Sequence, residues 1–432
     1  MLCSHIYNSS YKRKKTAIMK MMNVTKPMRL LLYGAVLSTV FFVACSSSED
    51  PIPADKDFDS VPKTQNGTAM LKDTDKIAMV RSLVDLEGGG GRIYEMNYTV
   101  DYKLDAALNF GIYSTASLTA FVARYLMDTI PGAKGVNLTY DAGCSAFACP
   151  DASTGDFLMG RNFDFNHINK KTNERIMIPL IAVHTAPAGG KKSVSFVDGQ
   201  FVGYKSGFFT DGKSDLSMLM ALPYLLLDGI NEDGFAVSVL KLDGKPTRQE
   251  ENTGNKKIFT TVAMRMLLDR AGTVNEAVKM LENYNMWMDE DLTASYHFFM
   301  ADATGDYAIV EYTNPDIQAF PNKMEVLRGN DTLRYTTNFY VSPTMANTPN
   351  GFNSNHGKYR YDILKSYLAK NNYQVASETE GMGLLKSVAQ GPEDSKLSTG
   401  FTQWSEIYNL SKKKVTMSIL REFDKKFEFG IK

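Results

Sequence analysis

Residues 144–165 restrict the fold more than any other stretch. Cys144-Ser-Ala-Phe-Ala-Cys149 is β-compatible, residues 150–156 (PDASTGD) are dense in turn formers, and residues 157–165 (FLMGRNFDF) are again apolar and aromatic. That succession predicts a β-hairpin. With the turn centred near Ser153, Cys144 falls opposite Asn162, beside the cluster Gly160-Arg161-Asn162-Phe163-Asp164. Strict alternation then gives Asp164 the face of Asn162 and Arg161 the other, so a bulge or strand end has to re-aim Arg161. The same alternation sends Cys144 and Cys149 to opposite faces, against a disulfide within the strand.

A thiol with a pKa of about 8.5 is only a few per cent thiolate at neutral pH, so a nucleophilic cysteine needs a cation and a base. Arg161 is the candidate cation. The base is a histidine, or the α-amine of Cys144 itself if the chain is cut before it, with a pKa of about 7.7–8.0. Gly143 suits that cut because a residue without a side chain permits strained backbone. Asp164 would then bind and orient the new ammonium. His297 is the histidine alternative, against its plainer reading as a satisfied core residue; His167, His184 and His356 read as surface or loop.

The charge is balanced, with 48 basic and 48 acidic residues, but residues 1–44 hold seven Lys/Arg and no acid. The remainder is therefore mildly acidic and lacks the footprint that holds a phosphate backbone, so nucleic acid is not an expected partner. Residues 30–43 (LLLYGAVLSTVFFV) form an apolar run behind basic residues, short for a bilayer span and suited to a signal-peptide core. Phe42-Val43-Ala44-Cys45 resembles a bacterial lipobox, which makes Cys45 the expected lipid anchor of a cell-envelope lipoprotein, in the outer membrane and either periplasmic or surface-exposed. The organisation expected is a leader and signal over 1–44, a lipidated tether over 45–62, a folded pro-segment over 63–143 and a catalytic domain over 144–432. Five histidines and four cysteines leave little material for metal clusters.

Within the pro-segment, residues 73–87 carry helical spacing, the glycines at 88–91 read as a flexible linker, residues 93–102 as a strand and 115–130 as an amphipathic helix. Further on, residues 258–268 suit a helix, and Thr273-Val-Asn-Glu276 is a capping box opening another to about Tyr284. Strand-like runs near 176–184, 192–202, 235–242, 295–302, 307–313, 334–340 and 415–420 supply two antiparallel sheets. Helices outside two face-packed sheets make an α+β, four-layer αββα sandwich. The Met and aromatic residues of 195–227 read as core before acyl pocket, and Lys412-Lys413-Lys414 as a solvated hairpin turn.

Gly143-Cys144 followed by Gly160-Arg161-Asn162-Phe163-Asp164 resembles the N-terminal-nucleophile (Ntn) cysteine amidases of the choloylglycine hydrolase family, with their penicillin V acylase and acid ceramidase/N-acylethanolamine amidase branches. The likeness continues through most of 144–432. Residues 228–235 (DGINEDGF) are similar to the family's D-x-x-N-E-x-G-L turn, residues 297–311 to its later hairpin, Thr337-Asn338 to the pair whose amide helps form the oxyanion hole, and Tyr359-Arg360-Tyr361 to an arginine-aromatic pair near the nucleophile. The resemblance implies the Ntn αββα fold, autocleavage at Gly143-Cys144 and hydrolysis of linear amides through a Cys144 thioester, without metal or cofactor. It implies Cys144, Arg161, Asp164, Asn338 and Arg360 as the catalytic set, with Asn231 and Lys241 as candidate substrate or oxyanion contacts.

The sequence departs from the bile-salt pattern at Lys241, where some relatives hold asparagine, and in the long segment before Cys144. That segment resembles the acid ceramidase branch, whose N-terminal piece stays bound as a small subunit. The expected substrate is therefore a small, lipid-like N-acyl amide with an apolar acyl group, such as a fatty-acid amide, an N-acylethanolamine or an N-acyl amino acid. Conjugated bile salts and penicillin V are alternatives, as is a surface lipoprotein that binds lipid or glycan without catalysis. Self-association and a retained pro-segment complete the expected partners.

Overall fold

A computed structural model describes residues 67–128, 142–169, 171–172, 174–204, 207–209, 211, 213–250, 254–288, 294–391 and 400–432. The expected signal peptide, Cys45 and tether lie outside them. Before Cys144 the described chain forms α1 (Thr74–Arg81), β1 (Val84–Asp85), β2 (Ile93–Tyr98), α2 (Leu104–Phe110) and α3 (Thr115–Phe121), which continues as a π-helical turn, Val122–Leu126. The expected hairpin follows as β3 (Ala142–Pro150) and β4 (Phe157–Phe165).

The larger sheet has nine strands. From one edge it runs β1, β2, β5 (Leu180–Thr185), β6 (Ser193–Asp198), β7 (Asp228–Asn231), β8 (Ala236–Asp243), β11 (Ala294–Ala301), β12 (Tyr307–Thr313) and β13 (Lys323–Leu327). The second sheet has six, in the order β14 (Tyr335–Thr336), β3, β4, β15 (Thr402–Asn409), β16 (Lys414–Ile419) and β17 (Phe427–Gly430). A short parallel pair, β9 (Lys256–Ile258) with β10 (Tyr284–Met286), stands apart. β3 packs against β8, so the sheets meet face to face. Helices α4 (Thr260–Arg270) and α5 (Val274–Glu282) cover the larger sheet, and α6 (Lys358–Lys370) and α7 (Glu378–Ser387) cover the smaller. The αββα order of layers is thus the observed one.

Residues 67–128 do not form a separate helical domain. β2 pairs in parallel with β5 from Ile93↔Leu180 to Tyr98↔Thr185, so strands from before Cys144 extend the larger sheet. The described residues on both sides of Cys144 belong to one compact unit. The glycines at 88–91 lie within the β1–β2 turn and not in a linker: Asp85 accepts the backbone N–H groups of Glu87, Gly89 and Gly91. Gly88, Gly89 and Gly91 all have positive φ, which glycine adopts without steric cost.

Thr273 caps α5 through Glu276 N, as its capping box predicts, although Glu276 reaches back to Gly272 N instead of the cap residue. Residues 412–414 lie in the β15–β16 turn and at the start of β16. Among the described residues no helix is long and apolar enough to cross a membrane.

Candidate active site

The β3–β4 hairpin turns through six residues, so its centre lies between Ser153 and Thr154 and the register differs by one from that expected. Cys144 pairs with Phe163, Gly143 with Asp164 and Ser145 with Asn162. The slip reverses the facing argument, because side chains alternate with a period of two. Arg161 now shares the face of Cys144 without any bulge, and Asp164 takes the opposite one.

On the face between the sheets, Arg161 Nη2 lies 3.9 Å from Cys144 Sγ and donates to the Val239 carbonyl at 3.1 Å. The backbone N–H of Lys241 works to lower the thiol's pKa. Cys144 is buried, and burial pushes its pKa up; Asp164 adds to this, while Arg161 and Arg360 oppose it. Burial also works against the Arg161 charge, but Asp228, then Cys144 and Glu406, hold its pKa above the ordinary value.

The backbone of Cys144 is gripped separately. Asn338 Oδ1 accepts the Cys144 N–H at 2.7 Å and Arg360 Nη2 at 2.7 Å, while its Nδ2 donates to the Lys241 carbonyl at 2.8 Å. Arg360 Nη1 binds the Cys144 carbonyl and Ser145 Oγ. Asp164, on the helix-facing side, accepts Thr402 Oγ1 at 2.5 Å and Gln390 Nε2 at 2.6 Å, with Arg360 Nη1 at 3.6 Å. Burial raises its pKa, opposed by Arg360 and those two donors. In this uncut chain, then, the atom on the Cys144 nitrogen is Asn338 Oδ1, and Asp164 stands across the ladder from Gly143.

The five expected catalytic residues therefore converge, Asp164 through Arg360. Lys241 joins them through its backbone, while its ammonium lies 3.4 Å from Asp243. Asn231 does not join them. Its Nδ2 donates to the Leu268 and Ala271 carbonyls and its Oδ1 accepts Asp233 and Phe235 N–H, which spends the side chain on the β7–β8 turn and the end of α4.

His297 is buried between the Thr337 carbonyl, 2.9 Å from Nε2, and Glu311, 3.1 Å from Nδ1. Glu311 also accepts the Val341 and Ser342 N–H groups, so this pair braces the loop that carries Asn338. His167, in the loop after β4, and His184, within β5, are buried against Asp198 and Glu95, so the surface-or-loop reading keeps only its loop for His167. Both cysteines are free, and burial drives Cys149 up to about 12. Sequence reasoning missed Ser145, Gln390, Thr402 and Glu406, and read Asp228 only as part of a turn. Their one signal is polarity inside runs that pair as strands.

Residues 144–358 match the family described as linear amide C-N hydrolases, choloylglycine hydrolase family, and the match opens on Cys144 itself. The chain belongs to this family. Among curated proteins, the penicillin V acylase of Pectobacterium atrosepticum is 28% identical over 129 residues. That alignment spans 28% of this chain and 30% of the relative. Solved structures similar to it include a variant of the conjugated bile acid hydrolase from Clostridium perfringens, with 15% identity, 66% of this chain and 92% of that one covered, and a TM-score of 0.44. Penicillin V acylase from Agrobacterium tumefaciens gives 17%, 64%, 83% and 0.39 in the same order.

Proposed function

We propose that this protein is an autoprocessed cysteine amidohydrolase that cleaves lipid-like N-acyl amides through a Cys144 thioester. The observation that carries the reading is the joint grip on one residue: Arg161 at the thiol, Asn338 at the nitrogen and Arg360 at the carbonyl of Cys144. In self-cleavage the thiol adds to the Gly143 carbonyl and the Gly143–Cys144 C–N bond breaks. The nitrogen leaves as the new α-amine, and water releases the Gly143 carboxylate from the thioester. Asn338 Oδ1 already sits where that amine forms, so Asn338 takes the amine-holding part first expected of Asp164, which acts by fixing Arg360.

In turnover the amine accepts the thiol proton as sulfur adds to the substrate amide. The oxyanion is met by the Lys241 backbone N–H and by the Asn338 Nδ2 hydrogen not used on Lys241. The amine product departs with the proton, and water resolves the thioester. Both named relatives, penicillin V acylase and conjugated bile acid hydrolase, carry amide substrates in their names, and the long N-terminal segment favours fatty-acyl amides for this chain. Anchoring at Cys45 would place the reaction at the cell envelope.

Wild-type protein and Cys144→Ala, each incubated with N-oleoylethanolamine, taurocholate and penicillin V, provide the test. The expected wild type shows cleavage before Cys144 by intact mass and fastest turnover of the oleoyl amide; the alanine variant shows neither. Turnover by the variant defeats the mechanism, and an unprocessed, inactive wild type favours a lipid- or glycan-binding role.

A further inference from the structure

Behind Arg161 stand acids that this scheme does not use. Arg161 Nη1 pairs with Asp228 Oδ2 of β7 and lies 3.8 Å from Glu406 Oε1 of β15, all three side chains being fully buried. Tyr408 donates to Asp228 Oδ1 at 3.1 Å. The other end of the guanidinium faces Val239 O and the Cys144 thiol, and the remaining charges around that thiol are Asp164 on β4 and Arg360 on α6. Two ionised carboxylates against one guanidinium would bury an uncompensated negative charge, which a dry interior strongly disfavours.

We propose that Asp228 and Glu406 act as one counter-ion to Arg161, sharing a single proton, and so position the guanidinium against the nucleophilic thiol. Burial, then Asp228, push the Glu406 carboxyl well above its usual range; burial raises Asp228 too, with Arg161 pulling it back. The two titrate as a unit. Both acids face the same guanidinium, and with a single proton shared between them the pair carries one negative charge. A thiolate forming at Cys144 then meets a guanidinium balanced once, neither doubly neutralised nor bare. Both acids act through Arg161 and are positioning residues.

The test is the rate of Cys144 alkylation by iodoacetamide, followed by peptide mass spectrometry on the full chain across the pH range of thiol ionisation. Glu406→Gln supplies the same neutral donor and keeps the wild-type profile. Asp228→Asn stays close to it as well, because Glu406 gives up its proton and becomes the counter-ion. The double variant leaves Arg161 without one, and its profile moves to lower pH, about tenfold in rate on the acid side for each unit moved.

A shift to lower pH in Glu406→Gln alone, meaning a charged glutamate in the wild type, overturns the proposal. So does a shift in Asp228→Asn alone as large as that of the double variant. Should the double variant not fold, the two single profiles still decide. The measurement needs no substrate, so absent amide turnover with the expected profiles counts against the proposed function and not against the shared proton.

Discussion

Asn338 is the residue on which most of the site's geometry depends. Its amide orientation follows from its neighbours: two donors, Cys144 N and Arg360 Nη2, converge on Oδ1, and an acceptor, the Lys241 carbonyl, faces Nδ2. A flipped amide would set donors against donors. Asn338→Ala leaves the buried N–H of Cys144 without this acceptor and removes the oxyanion donor proposed above. The expected loss is about 10²–10³-fold in kcat with a stability cost of about 1–3 kcal/mol, read from steady-state kinetics and a urea midpoint. Asn338→Asp separates the two parts: it keeps Oδ1 for the amine and sets a carboxylate against the Lys241 carbonyl, so self-cleavage survives better than turnover. Wild-type kcat in the alanine variant would remove Asn338 from the mechanism.

At the scale of elements, Arg360 is delivered by the first turn of α6, and the residue before that helix decides its approach. Gly357 has φ +77°, and a Cβ there would come within 2.8 Å of Thr337 Oγ1 and 3.0 Å of Arg360 Nη2. Gly357→Ala is therefore strained by backbone and by contact, at about 1–3 kcal/mol, and it displaces Arg360 from the Cys144 carbonyl. Processing should slow more than a stability loss of that size explains; a destabilised variant that self-cleaves at the wild-type rate would show that Arg360 tolerates the shift.

The β3–β4 hairpin, α4, α5 and most strands were legible in the sequence because each buries an apolar face with its own period. The one-residue slip at the hairpin was not, since a six-residue turn and one centred on Ser153 have the same composition. β15 was anticipated only as the strand-like run before the Lys412–Lys414 turn, without bounds. Its sequence TQWSEIYN reads as a polar surface, yet every residue is buried, because Thr402 serves Asp164 while Glu406 and Tyr408 serve Asp228 and Arg161. A strand whose polar side chains face a buried charge cluster has no apolar alternation to betray it. The glycines at 88–91 misled for a related reason: glycine density marks freedom of the backbone and does not say whether an aspartate has fixed it.

For the whole molecule, the proposed cut at Gly143–Cys144 would divide the covalent chain but not the fold. The segment before it adds β1 and β2 to the larger sheet and buries Ile93, Tyr94, Met96 and Tyr98. Tyr98 donates to the Met220 carbonyl and Tyr102 to Asp269. With about 1.5–3 kcal/mol from each fully buried large apolar side chain, the segment, once cut as proposed, should stay bound as a subunit at neutral pH.

Its ion pairs make that attachment sensitive to acid. Glu95 meets His184 and Lys432, and these hold its pKa down to about 2 against the opposing effect of burial. Glu87, also at about 2, is held by Arg92 and, across the joint, by Lys425; Arg92 in turn binds Glu422. Carboxyls with lowered folded pKa values contribute fully above their free-chain pKa of about 4.3, and that contribution is lost as pH falls toward about 2. The processed protein should release its N-terminal fragment, followed by size exclusion in urea, at a lower urea concentration near the bottom of that window than at neutral pH. Glu95→Gln should lower the neutral-pH midpoint and narrow the difference between the two conditions. An acid-insensitive midpoint in the wild type would assign the attachment to the β2–β5 ladder and the buried tyrosines alone.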